Sequence, residues 1–228
     1  YLHAYSSQLF SGYPLATLKQ NVEQISQRLH DLGQHALVLN FSLQIRILDN
    51  LLGTVDNPQV VTPQDLALIE SVVKEESQAS SDAIQVWIVM VQQFLAILRK
   101  EYALAASKAK ELQRLNPTGY SGFILLYIQF LRAWSFALQS RQQKHYKKSK
   151  RRAVKALKEF QKKTRTGGGW YNKILLIEAE VLALKERTRE DAIVKWLGSI
   201  QDAERQGLIH EQALAHERLG LSLRQWGE

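Results

Sequence analysis

YALAASKAKELQRLNP, residues 102–117, decides how the rest of this chain is read. Ala105, Ala109 and Leu112 recur at intervals of four and three, the period of a helix, and Pro117 closes the run. Two alanines on one face let a second helix approach closely, so the stretch predicts the packed partner in a hairpin of two helices. Ala192, Trp196 and Ser199 repeat the same relative offsets near the other end of the chain.

Outward from that stretch the three-and-four spacing continues, and no sustained alternation of the strand type interrupts it. The chain has 228 residues, of which 45% are hydrophobic, enough for a continuous core; four prolines and twelve glycines are the only strong breakers. The expected fold is all-α, a right-handed solenoid of antiparallel helix hairpins with about ten helices. Residues 1–11 are expected to form the first helix. Pro14 starts a second that carries Leu15, Leu18, Val22, Ile25 and Leu29 to Gly33, and a third runs from Ala36 to Gly53. A short helix capped by Thr62 follows, then helices near 82–99, 101–115, 121–140, 142–164, 170–186, 189–206 and 209–226. The expected organisation is one helical-repeat domain over 1–228, with a sub-boundary in the loop at 54–63 and a linker at 166–169. The start at Tyr1, without an initiator Met or a secretory pattern, suggests a fragment of a longer chain.

Cysteine is absent, which removes disulfides, thiolate metal sites and a cysteine nucleophile; a reducing, cytoplasmic setting is the expectation. FILLYIQFLRAWSFAL, 123–138, is apolar but shorter than the ~20 residues a membrane span needs, and Arg132 lies inside it. It predicts a buried helix and no transmembrane segment. Trp87, Trp134, Trp170, Trp196 and Trp226 are expected in packing between helices.

The formal charge of +8 is local in origin. Between Arg141 and Arg165 stand 12 Lys or Arg residues and one acid, Glu159, which leaves 18 basic and 21 acidic residues elsewhere. Tyr146, Ala153, Leu157 and Phe160 give the same segment an apolar stripe, so its lysines read as the solvated face of a packed helix. Lys144, Lys147, Lys148, Arg151, Arg152 and Lys155 form the candidate partner-binding face, suited to an acidic protein, an anionic membrane surface or RNA. No row of base-stacking aromatics accompanies it, which disfavours nucleic acid.

HEQALAHERLG, 210–220, attracts attention through its histidines. His210 and His216 are six residues apart, about 120° around a helix, and cannot chelate one ion as an i, i+4 pair does. The Arg-Thr-Pro that follows the phospho-accepting histidine of a histidine kinase is missing. Packing accounts for more positions: Ala213 and Gly220 would allow close helix approach, and Ile209, Leu214 and Leu221 would face the preceding helix. Glu211, Arg218 and Arg224 would face water. TGGGW, 166–170, lacks the spacing and the Lys-Ser/Thr of a phosphate loop, and no Gly-x-Ser-x-Gly elbow or kinase signature occurs. The expectation is no catalytic, cofactor-binding or metal-ligating residue, no cofactor and no enzymatic activity.

The registers at 105–117 and 192–199 are similar to the second helix of a tetratricopeptide repeat, although their displacement of 87 residues fits no whole number of units of about 34. Lys173 to Gly227, with ILLIEAEVLAL, REDAIVKWLGSIQDAERQG and LIHEQALAHERLG, resembles the α-helical repeat region of large multidomain signalling ATPases. SGYPL at 11–15 and LDNLLG at 48–53 extend the resemblance towards the N-terminus. It implies a tetratricopeptide-like region beside an AAA- or STAND-type ATPase module and GAF, histidine-kinase or nucleotide-cyclase domains. Its partners would be proteins or flanking domains of the same chain; it assigns no catalytic residue, and the oligomeric state stays open.

Overall fold

The computed structural model describes residues 8, 13–54, 78–115, 122–142, 146–165 and 168–227. Among them all regular structure is helical. The described residues form nine α-helices: α1 (Leu15–Asp31), α2 (His35–Leu52), α3 (Gln78–Leu98), α4 (Tyr102–Arg114), α5 (Gly122–Gln139), α6 (Tyr146–Thr164), α7 (Tyr171–Leu182), α8 (Arg189–Arg205) and α9 (Ile209–Trp226). Short 3-10 turns occupy Gly168–Trp170 and Glu186–Thr188. The helix expected over 1–11, the one after Thr62 and residues 55–63 of the long loop lie outside the described residues. The helix expected over 170–186 stops at Leu182, and a separate turn precedes α8.

The chain divides into two compact units, Tyr1–Gln92 with Leu112–Ser121 and Gln93–Glu111 with Gly122–Glu228, so the division crosses both α3 and α4. In the first unit α1 packs on α2. Leu18 and Val22 from α1 and Phe41, Ile47 and Leu48 from α2 are buried. Gly33 ends the first helix at φ 68°, a left-handed conformation open to glycine at no steric cost, and its N–H donates to His30 O. Lys19 braces the pair through an ion pair to Asp49 at 2.6 Å.

In the second unit α5 packs against α6 and α7, α6 against α7, α7 against α8, and α8 against α9. From Ile124 to Gln139, α5 buries twelve residues, which is why its sequence is apolar on nearly every side. Three of its polar side chains, Arg132, Ser135 and Gln139, are matched inside the protein. Gln93 Nε2 donates to Ser135 Oγ at 2.8 Å, Ser149 Oγ donates to Gln139 Oε1 at 2.7 Å, and Arg132 pairs with Glu159 at 3.1 Å. No helix among the described residues is long and apolar enough to cross a membrane. Trp170 anchors the start of α7, its ring centroid 5.2 Å from Phe123 and 5.8 Å from Phe160. Tyr171 beside it is exposed.

Ala105, Ala109 and Leu112 are buried, as are Ala192, Trp196 and Ser199, so the two matching registers both face packed interiors. The close approach expected of Ala213 and Gly220 is corrected: both are exposed, and a Cβ added to Gly220 would meet nothing within 4 Å. Ala215 is the buried alanine of α9, and Gly198 is the glycine at a tight helix contact, where an added Cβ would lie 3.2 Å from Leu175 Cδ1. Trp87, Trp134, Trp170 and Trp196 are buried; Trp226 is half-buried, its ring 6.0 Å from that of Trp196.

Candidate functional site

Charge enters the interior of the second unit at Glu180. The residue lies on the face of α7 that also carries Leu176 and Ile177, four and three positions earlier, so the helix period that buries those side chains buries its carboxylate too. It is fully buried, and bare burial of a carboxylate would cost several kcal/mol. Two guanidinium groups offset that cost. Arg218 on α9 donates from Nε to Oε1 at 2.7 Å and from Nη2 to Oε2 at 3.2 Å, the two-pronged geometry that suits a carboxylate. Arg141, in the α5–α6 connection, pairs with Oε2 at 2.9 Å.

The arginines are held in turn. Arg218 Nη1 donates to Tyr102 Oη at 2.8 Å, Arg141 Nη2 donates to Ser222 Oγ at 2.9 Å, and Ser222 Oγ donates to Arg218 O at 2.8 Å. The Arg141 guanidinium also lies 5.6 Å from the centroid of the Trp196 ring. Burial pushes the Glu180 carboxyl up, but Arg141 and Arg218 outweigh it and hold the group below its ordinary value. The Trp196 indole favours the charged form as well, although its N–H falls short of hydrogen-bond geometry. Burial pushes the Arg218 pKa down, and Glu180 more than reverses it, so the pair stays ionised. Elements α4, α7, α8 and α9 and the α5–α6 connection thus meet around one carboxylate. Such an arrangement fixes register; a glutamate kept ionised is a poor proton donor at neutral pH.

A second cluster lies where α7 begins and α8 ends. Lys173 is buried, 5.0 Å from the centroid of Trp170 and 5.9 Å from that of Phe130, and forms an ion pair with Glu211. The Asn172 side-chain amide donates to the same carboxylate. Asp202 accepts from Asn172 N–H at 3.0 Å and from Gln206 Nε2 at 2.7 Å, and Ser199 Oγ donates to Asn172 O at 2.8 Å. Burial pulls the Lys173 ammonium below its ordinary pKa, with Glu211 and Asp202 opposing; burial and Glu211 together push the Tyr127 hydroxyl well above its own. Asp202 thus satisfies one N–H group at the first turn of α7, while the N–H groups of the turn from α8 to α9 donate to backbone carbonyls of that turn.

These two clusters correct the reading of HEQALAHERLG. Arg218, expected towards water, is buried on Glu180, and Glu211 is mostly enclosed beside Lys173. The inward face of α9 carries Ala215, Arg218 and Ser222, spaced by three and four. The period was legible, but the charge of Arg218 hid its place on the inner face. The signal available for it was its complement, a glutamate among the apolar positions of α7. His210 is half-buried and His216 exposed. No group of three or more His, Cys, Asp or Glu side chains among the described residues is placed to hold a metal ion.

The expected binding face falls on α6, apart from Lys144, which lies outside the described residues. Ser149, Ala153, Ala156, Leu157, Phe160 and Thr164 form the buried side of the helix. Lys147, Lys148, Arg151 and Lys155 are exposed and share that state with Lys158, Lys162 and Lys163. Arg152 differs: it is half-buried, its guanidinium 5.7 Å from the Phe136 ring centroid. Beside the exposed cations runs an open groove of about 530 Å³ lined by Lys150, Arg151, Val154, Lys155, Lys158 and Glu159. The groove and the contribution of Lys158 and Lys162 were not part of the sequence expectation.

No protein-family model matches this chain, nor does any curated protein or solved structure.

Proposed function

We propose that this chain is a non-catalytic helical-repeat segment, a tetratricopeptide-like solenoid that scaffolds or couples domains of a larger cytoplasmic signalling protein. The observation that carries this reading is the use of the buried charges. Glu180, Arg141 and Arg218 satisfy one another across several helices, as Lys173 and Glu211 do, so the interior charge serves helix register and leaves the outer faces for partners. The recurring small-residue register of α4 and α8 and the resemblance to the repeat regions of signalling ATPases support it further.

The test is made in the full-length protein. Replacing this segment by a flexible linker of matched span is expected to uncouple the flanking domains, read as loss of effector control over an ATPase, kinase or cyclase activity. Turnover of any substrate by the purified segment alone would sink the proposal. The exposed cations of α6 favour a second reading, in which the basic helix binds an acidic partner, an anionic membrane surface or RNA.

A further inference from the structure

The outer face of α6 is more ordered than a general excess of lysine requires. Lys147, Arg151, Lys155, Lys158 and Lys162 are spaced by four, four, three and four residues, which places them within about 80° of arc along about 22 Å of helix. All five are exposed, and the arc lies opposite the buried side formed by Ala153, Ala156, Leu157 and Phe160. None of the five makes an ion pair or a side-chain hydrogen bond among the described residues. The acid of this helix, Glu159, pairs with Arg132 at 3.1 Å and so subtracts little from the stripe. On the flank, the groove adds Val154 and the aliphatic stems of Arg151, Lys155 and Lys158, apolar surface beneath charged heads.

We infer that this stripe and groove form a docking surface for an acidic amphipathic helix. Carboxylates at i and i+4 on a helix recur every ~6 Å along its axis, the pitch at which the five cations recur. A straight helix laid along α6 therefore meets them in succession, while small apolar side chains beside its acidic row enter the groove at Val154. A membrane-lying helix would need a free apolar face, and that face of α6 is already packed in the core. Single-stranded nucleic acid would need stacking rings; Phe160 is buried and Tyr146 is half-covered by Lys150, whose amine lies 5.2 Å from its ring centroid. The inference rests on the scaffold reading, since it names the kind of partner that the scaffold holds.

The experiment uses the whole chain and a synthetic helical peptide of about 20 residues, with glutamates on one stripe and alanine and leucine beside it. Titrations against phosphatidylserine vesicles, oligouridine and a scrambled peptide of the same composition run in parallel. The helical peptide is expected to bind, more weakly as salt rises, and the variant K147E/R151E/K155E/K158E/K162E to lose about 100-fold in affinity. Val154→Asp is expected to weaken binding about tenfold with the stripe intact, and circular dichroism confirms that both variants fold. Equal binding of the scrambled peptide, tighter binding of vesicles or oligouridine, or no binding of any probe overturns the inference. Those results leave the scaffold reading standing, because that reading fails on a different measurement, retained coupling after the linker replacement.

Discussion

The outer face of α6 and the surroundings of Glu180 are both rich in arginine or lysine, and they use charge in opposite ways. On α6 the cations stand in water on one side of a helix whose other side is fully packed. Around Glu180 the cations are drawn inward and held by a carboxylate that has no contact with solvent. Side chains of one chemical type are thus a solvated, recruitable surface in one place and an internal fastening in the other. What separates them is the position of the opposite charge: α6 has Glu159 alone, already engaged, whereas α7 places Glu180 where two guanidinium groups converge.

The comparison breaks most readily at Glu180. Glu180→Ala leaves Arg141 and Arg218 without their carboxylate, and chemical denaturation should show a loss of about 3–5 kcal/mol. Replacing Glu180, Arg141 and Arg218 together by Met should recover most of that loss, because no uncompensated charge remains buried. Failure to recover would mean that shape, and not charge balance, dominates the cluster.

Acid gives a milder perturbation of the same place. The carboxyl of Glu180 is held below its ordinary value of 4.5, so its contribution to stability is complete above that value and is lost as pH falls through the lowered one. Glu180→Gln should flatten this part of the stability profile, measured by denaturation at a series of acidic pH values.

Two smaller effects sharpen the contrast between inward and outward faces. On α9, Gly220 points away from the fastening, with open space where a side chain would stand. Gly220→Ala should stabilise the chain by about 0.5–1 kcal/mol, seen as a higher unfolding midpoint, whereas a glycine at a helix crossing would give a loss. On α6, Lys155→Ala should change stability by no more than about 0.5 kcal/mol, since the side chain is exposed and makes no ion pair. A larger loss there would show that the stripe supports the fold.

The helices were largely legible because spacing is a local property. The run 123–138 could be assigned to the core from its length and Arg132, and the registers at 105–112 and 192–199 from their small residues. The buried side of α6 was legible for the same reason, with Ala153, Leu157 and Phe160 standing out among lysines. The inward face of α9 was not. Its periodicity allowed more than one rotation, and rules that send charge outward chose the wrong one for Arg218, while Ala213 and Gly220 drew the packing reading to the solvent side.

The sequence by itself determined the helical class, the absence of thiol chemistry, the concentration of the net positive charge in 141–165 and the impossibility of a chelating pair at His210 and His216. Each follows from composition or from spacing along one helix. Only the tertiary structure decided that Arg218 and Glu211 belong inside, that Gly198 sits at a tight contact, and that five cations of α6 share an open face beside a groove. A charged side chain is buried or exposed according to what comes to meet it, and its partner here lies 38 or 39 residues away along the chain.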